Sequence, residues 1–556
     1  TEAPWRLRPS EEDPAGPMKT PIEVLQSYPK HDGTLQGLVA SRARRDPQRP
    51  FLLFQDAVWS WGALEGAVER AAGMLAGRGI GKGDRLAVMA PNSDAYVILF
   101  FALARIGAIL VPVNPELGVT EAGYVLQHAG VAAVACTPTT LPVARRACEG
   151  MAQAPWFMLI EGSSEGAPGL QDLINSVPAG RLSGDIGPDD TCLILYTSGT
   201  TGFPKGVMHS QRSFVLAGEG FVERMYLQPE DRLLCVLPLF HINALFYSLG
   251  GAVAAGASIV LAPRFSASGF WPLVAQSGAT EVNILAAVGS ILARRPRSEF
   301  VPGHRLGKVY GAPITPEAAE ALRHEFGVPV LIEGYGMTEI PGACNNPFLG
   351  PHKVGSIGRP ALHPDRRISF AELRVADEQG RDVPDGEVGE LLARTPILMQ
   401  GYYRDPEQTA AAFRDGWFMT GDLVRRDPDG FFFFVARKKD IIRRRGENIA
   451  GAELDRVVGL HPAVVEAAAI AVPSELGEDE ILVALVPKTG ALVTASDIAG
   501  WCAQHLAPIK VPRYVVFLES LPHTPTHRVA KFSLKNDPTL LARAVDLQAA
   551  KGRSTA

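Results

Sequence analysis

Along this chain, short unbroken apolar runs alternate with stretches in which apolar residues return every three or four positions. The runs read as strands buried on both faces, and the longer spacing reads as amphipathic helix. A helix is expected over 59–77, a buried strand over 85–89, a helix over 93–105 and a strand over 110–113. Further apolar runs at 192–196, 233–238, 258–261 and 281–285 extend the alternation. Strand–helix alternation of this kind predicts parallel α/β layers. Residues 1–33 are polar and Pro-rich, and are expected to form a loosely held arm.

After about Lys353 the texture changes. Strand-like alternation over 367–375 and 389–395, with turn signals at Asp385-Gly386 and Asp429-Gly430, predicts a small β-rich subdomain. A charged stretch over 437–440 follows. Beyond it the pattern is a compact unit: helix 452–460, strands 464–472 and 481–487, helix 495–505 and strand 515–517. The fold expected is therefore α/β and multidomain. A large N-terminal domain over 1–437, of layered α/β subdomains, includes the β-rich subdomain at about 353–437. A hinge at 438–439 joins it to a small mobile α+β C-terminal domain over 440–556.

Length and charge narrow the functional classes. A chain of 556 residues exceeds what one hydrophobic core usually serves. A net charge of −5 gives no reason to expect nucleic acid or an anionic membrane as partner. The six cysteines are scattered with no CxxC pair, which argues against a zinc site or disulfide framework and fits a cytoplasmic protein. The first residues lack the apolar run of a signal peptide. The most apolar stretch, 96–113, is interrupted by Arg105 and is short for a bilayer span.

The strongest chemical signal is Tyr196-Thr197-Ser198-Gly199-Thr200-Thr201-Gly202-Phe203-Pro204-Lys205-Gly206. Glycines let the backbone approach an anion, successive N–H groups form a concave nest, and the hydroxyls and Lys205 add donors. The string differs from the GxxxxGK[ST] phosphate loop. It resembles the phosphate loop of the adenylate-forming superfamily, which comprises acyl-CoA synthetases, aryl-CoA ligases, beetle luciferases and peptide-synthetase adenylation domains. The resemblance spans roughly 34–535 and favours the stand-alone acyl-CoA ligases. It implies ATP or acyl-AMP and coenzyme A as substrates, with Mg²⁺.

Other family motifs follow in order, and their roles are those the resemblance implies. Pro238-Leu239-Phe240-His241 matches the segment that gates between the nucleotide and acyl sites. Gly311-Ala312-Pro313 and Glu333-Gly334-Tyr335-Gly336-Met337 match the walls around adenine. Thr338 would touch the α-phosphate and Glu339 would hold Mg²⁺, a cation that prefers hard oxygens. Asp422 would accept the ribose hydroxyls, and Arg437 would contact ribose or phosphate. The acyl pocket would be lined around Ile242, Asn243, Ala287 and Ile340, and is expected to be apolar and uncharged. No Asp or Lys marks it for an amino acid, and the chain ends soon after Lys531 with no carrier module.

Arg437-Lys438-Lys439-Asp440 matches the family hinge, with Lys439 at the pivot. Arg445-Gly446-Glu447 matches the loop that lines the pantetheine tunnel after domain rotation. The adjacent arginines at 443–445 either meet a phosphate of coenzyme A or form a solvated basic edge.

One motif departs from the family. Where the C-terminal motif ends in Gly-Lys, this chain has His527-Arg528, with Lys531 three residues on. Arginine keeps the charge but not the compact point-charge geometry of the adenylating lysine. Two readings follow. Either adenylation is impaired and a partner enzyme supplies acyl-AMP, or Arg528 or Lys531 suffices and the enzyme runs both steps. An acyl-AMP ligase that delivers to a discrete carrier protein is the further alternative.

Overall fold

The computed structural model of the chain describes residues 18–178, 180, 182, 184–197, 204–444, 447–474, 479–523 and 529–548, with backbone alone at Glu447 and Asn448. Two compact units are present: Thr1–Leu373 with Ala393–Phe418, and Arg374–Leu392 with Met419–Ala556.

The first unit is built on two large sheets. One has seven strands in the order Gly401–Tyr402, Lys205–Ser210, Thr191–Thr197, Ile109–Val113, Arg85–Met89, Ala133–Cys136 and Trp156–Leu159. Its last five strands run parallel, as the strand–helix alternation predicts. Lys205–Ser210 pairs antiparallel with both of its neighbours.

The other sheet has nine strands. Its parallel centre runs through Val330–Met337, Lys308–Gly311, Glu281–Ile284, Arg232–Cys235, Ser258–Leu261 and Pro50–Phe54. At one edge Ile340–Asn345 folds back antiparallel on Val330–Met337, with Met337 opposite Ile340. Thr338 and Glu339 are therefore the two residues of a hairpin turn, a geometry that fixes both side chains relative to two strands.

Local chemistry sets the element ends. Asp94–Arg105 is a helix whose N-cap Ser93 accepts a hydrogen bond from the Tyr96 N–H. The helix expected over 59–77 starts later. Residues 57–60 form a strand antiparallel to Pro50–Phe54, and Ser60 caps Trp61–Gly77 by accepting from Ala63 N–H. The arm expected over 1–33 is ordered at its end. Pro21–Gln26 is a short helix with Val24 buried, and Arg42 stacks 4.2 Å over the Tyr28 ring.

Glu372–Ala376, Val388–Arg394, Trp417–Arg426 and Phe432–Arg437 share a sheet, so the β-rich texture is realised. The strand expected over 367–375 is confined to Glu372–Ala376, because Asp365 binds the Arg367 guanidinium and backbone N–H in a local turn. Toward the C-terminus, Val464–Pro473, Asp479–Pro487, Tyr514–Phe517 and Val545–Asp546 form a four-stranded sheet. Helices Gly451–Gly459 and Ala495–His505 cover it, burying Leu454, Val458, Ile498 and Cys502. Among the described residues no helix is long and apolar enough to cross a membrane.

Candidate active site

In the first unit Lys205 and the Thr338-Glu339 turn are joined through Tyr402. Thr197 lies opposite Lys205 in the hairpin that frames the phosphate loop. Ser198, Gly199, Thr200, Thr201 and Gly202 lie outside the described residues. The Lys205 ammonium stands 4.6 Å from the centre of the Tyr402 ring, whose electron-rich face attracts a cation. The Tyr402 hydroxyl donates to Glu339 Oε1 at 2.9 Å. Burial beside Glu339 holds that phenol protonated, since both raise its pKa.

His209 supports the other residue of the turn. Its Nε2 lies 2.7 Å from the Thr338 carbonyl oxygen, and the side chain is wholly buried. Burial pushes its pKa down to about 4, while the bond to Thr338 opposes the shift. The ring is therefore neutral at pH 7 and donates through Nε2. Neither His209 nor Tyr402 was singled out in the sequence. His209 shares the strand of Lys205 and Tyr402 lies on the strand paired with it, but sheet pairing does not appear in a linear pattern.

The residues expected to wall adenine occupy the ends of two neighbouring strands. Gly311 closes Lys308–Gly311, and a Cβ there would meet Ile314 Cγ1 at 2.2 Å, so the position admits only glycine without a shift. Glu333 Oε1 accepts the Ile314 N–H at 3.1 Å and so fastens the segment containing Ala312 and Pro313. Glu333, Gly334, Tyr335, Gly336 and Met337 lie on the adjacent strand, and Tyr335 is largely buried. His241 packs against Phe240 with ring centres 4.5 Å apart. Ile242 and Asn243 lead into a π-helical turn, Asn243–Leu249. Ile340 is buried, and Ala287 is exposed on its helix.

In the second unit Asp422 and Arg437 face each other across paired strands, with Arg437 Nε 3.0 Å from Asp422 Oδ1. Asp422 is inaccessible to solvent, whereas Arg437 is partly exposed. Glu390 links this segment to the charged stretch: Oε1 accepts Gly421 N–H at 3.0 Å and Oε2 pairs with Lys438 Nζ at 2.9 Å. Lys439 lies in a short 3-10 turn, and its carbonyl accepts from Lys535 Nζ.

The arginine run is not one uniform basic surface. Arg444 is buried, 2.8 Å from Glu480, and it donates to the Ile509 and Val511 carbonyls. Arg443 is exposed and pairs with Glu378. Arg445, Gly446 and Arg528 lie outside the described residues, as does the side chain of Glu447. Lys531 Nζ lies 2.5 Å from Asp455 Oδ2, and Asp455 Oδ1 also accepts the Ala469 N–H.

The AMP-binding enzyme family matches residues 39–403, and its C-terminal domain matches 453–528. The chain belongs to the AMP-binding enzymes, the adenylate-forming superfamily, among its stand-alone acyl-CoA ligases. It is 34% identical to the sulfoacetate–CoA ligase of Cupriavidus necator, over 92% of this chain and 99% of that protein. It is 32% identical to the oxalate–CoA ligase of Arabidopsis thaliana, over 90% and 97% of the two chains. The structure of ATP-bound MatB from Rhodopseudomonas palustris superposes with a TM-score of 0.80 at 28% identity, covering 90% of this chain and 98% of that one. This protein is accordingly an acid–thiol ligase.

Proposed function

We propose that this protein joins a compact carboxylic acid to coenzyme A through an acyl-adenylate, and that its adenylation step is slow, so that it acts mainly in thioester formation from acyl-AMP. The Lys531–Asp455 pair carries this reading. Arg528 stands where the family has its adenylating lysine, and Lys531 is the lysine near enough in sequence to replace it. Lys531 is engaged by a carboxylate whose burial raises its pKa and which that ammonium helps keep charged. Both partners lie beyond Lys439 in the chain, so the pair would travel with the segment that rotates about it. Withdrawing Lys531 would strand a largely buried carboxylate, which is costly.

In the first half-reaction a carboxylate oxygen attacks the α-phosphorus, a P–O bond forms, and the bond to pyrophosphate breaks. In the second the thiol sulfur attacks the acyl carbonyl, a C–S bond forms, AMP leaves, and the thiol proton passes to solvent. Thr197, the loop to Gly202 and Lys205 bind phosphate oxygens. Thr338 donates its hydroxyl toward the α-phosphate. Asp422, held by Arg437, accepts the ribose hydroxyls. The adenine base lies between 311–313 and 333–337, and His241 gates the acyl side. Rotation about Lys439 would exchange the Arg528 loop for the 445–447 loop, as domain alternation allows.

The residues present fit a magnesium ion. Glu339 offers a hard carboxylate that takes one hydrogen bond, at Oε1, among the described residues. One protein carboxylate together with substrate phosphates is the usual way Mg²⁺ is held, and the ion would neutralise phosphate charge. Two relatives are named for small acids with a second acidic group, which supports a compact acid here.

Pyrophosphate exchange with ATP and acid, set against thioester formation from synthetic acyl-AMP and coenzyme A, tests the reading. Slow exchange with ready thioester formation is expected. Rapid exchange by the unmodified protein would restore an ordinary two-step ligase.

A further inference from the structure

Arg224, near the end of the helix Gln211–Met225, is 2% exposed. Nη2 donates to the Gly342 carbonyl at 3.2 Å, and Nε donates to Asn345 Oδ1 at 3.3 Å. The guanidinium carbon lies 5.0 Å from the Tyr247 ring centre and 5.4 Å from that of Tyr310. The guanidinium also hydrogen-bonds the Tyr247 and Tyr310 side chains, but no carboxylate pairs with Arg224 among the described residues. Aromatic faces attract a guanidinium but do not neutralise it. A buried charge without a counter-ion is expensive, so it calls for an anion from outside the chain.

The elements that surround this cation are those on which the sequence analysis put the acyl pocket. Gly342 follows Ile340 on the strand Ile340–Asn345, and Tyr247 lies one turn beyond Asn243. A Cβ at Gly342 would stand 2.1 Å from Nη2, so glycine is what lets the guanidinium lie against that strand. One further buried polar atom, Asn243 Oδ1, lacks a partner among the described residues. The pocket expected to be uncharged is therefore backed by a cation with no carboxylate partner among the described residues and by the unsatisfied Asn243 Oδ1. A Cβ at Gly336 would lie 2.7 Å from the Tyr247 hydroxyl. Gly336 is only two residues from Thr338, a span of about 7 Å in extended chain.

We propose that Arg224 is a specificity-determining residue that receives a second, terminal anionic group of the acyl substrate, a carboxylate or sulfonate a few bonds from the reacting carboxyl. The guanidinium fork suits either oxyanion. This rests on the acyl-adenylate reading above, and the test is chosen to separate the two.

Non-hydrolysable acyl-sulfamoyladenosines, which mimic acyl-AMP, are to be titrated calorimetrically in the absence of coenzyme A. Three share one short chain length and end in methyl, carboxylate or sulfonate. Binding needs neither half-reaction, so a failure of thioester chemistry would not affect the result. The anionic analogues should bind at least about tenfold tighter than the methyl one, as for a charged hydrogen-bonded contact. The carboxylate and sulfonate arms say which anion is preferred. Arg224→Met should abolish the ratio, and Arg224→Lys should keep part of it. Should the methionine variant fail to fold, the lysine variant must still lower the ratio. Equal or weaker binding of both anionic analogues by the unmodified protein overturns the proposal, as does an unchanged ratio in the variants. In that event Arg224 is a structural cation in an aromatic cage.

Discussion

The Tyr402 hydroxyl donates to Glu339 Oε1 across 2.9 Å, joining a two-residue strand at the edge of one sheet to the hairpin turn of another. Glu339 is largely buried, so this donor takes the place of water on a charged oxygen. The Met399 N–H also donates to the Glu339 carbonyl, so backbone and side chain are held from the same segment.

Tyr402→Phe removes that donor and keeps the ring beneath Lys205. Loss of a hydrogen bond to a charged group should cost about 1.5–3 kcal/mol. Urea denaturation of Tyr402→Phe, Glu339→Gln and the double variant should return a coupling of roughly 1 kcal/mol or more. Strict additivity would show that the bond contributes nothing.

His209 should make the first unit acid-sensitive. Its folded pKa, about 4, lies below the ordinary histidine value because the ring is buried. Between about pH 6.5 and 4 the unfolded chain binds a proton that the folded chain refuses, so stability falls as pH falls through that window. The contribution is on the order of 2–4 kcal/mol. His209→Gln keeps a donor and removes the titration. Its denaturation midpoint should depend less on pH from 6.5 to 4, and an unchanged slope would assign the acid sensitivity elsewhere.

Lys531→Ala should act on stability. It leaves Asp455 without its cation, and a loss of about 1–3 kcal/mol in the second unit is expected from a partly buried pair. Lys531→Arg should recover part of it. Calorimetric melting reads the loss. Pyrophosphate exchange that disappears in Lys531→Ala, without any change in melting, would make Lys531 the adenylating lysine instead.

Asp422→Ala should weaken binding of AMP by about ten- to a hundred-fold, the equivalent of about 1.5–3 kcal/mol for a lost charged acceptor. Arg437 then loses its partner at 3.0 Å, so Asp422→Asn, which keeps the shape, should weaken binding less. Titration calorimetry with AMP measures both. An undiminished affinity in Asp422→Ala would remove this residue from the ribose site.

Much of the layered α/β order was legible because both signals are local. Within the strand Arg85–Met89, residues 86–89 are apolar and buried, and Ser93 caps the helix that follows. Boundaries were less legible. Trp59 and Ser60 belong to a strand because they pair with Pro50–Phe54, and that pairing outweighs the helical spacing that continues after them. Likewise 367–371 alternates like a strand, yet Asp365 and Arg367 fold it into a turn.

The sequence by itself determined the family, through strings such as 196–206 and 335–339 whose chemistry needs neighbouring residues in a set order. It also exposed the replacement of lysine by Arg528. Only the tertiary structure decided which distant groups support those strings: Tyr402 on Glu339, His209 on Thr338, Asp455 on Lys531, and Arg224 against Gly342. Each of these contacts joins residues from separate elements of the fold. A linear pattern carries periodicity and motif, whereas the free energy of a buried charge depends on what the folded chain brings within a few ångströms of it.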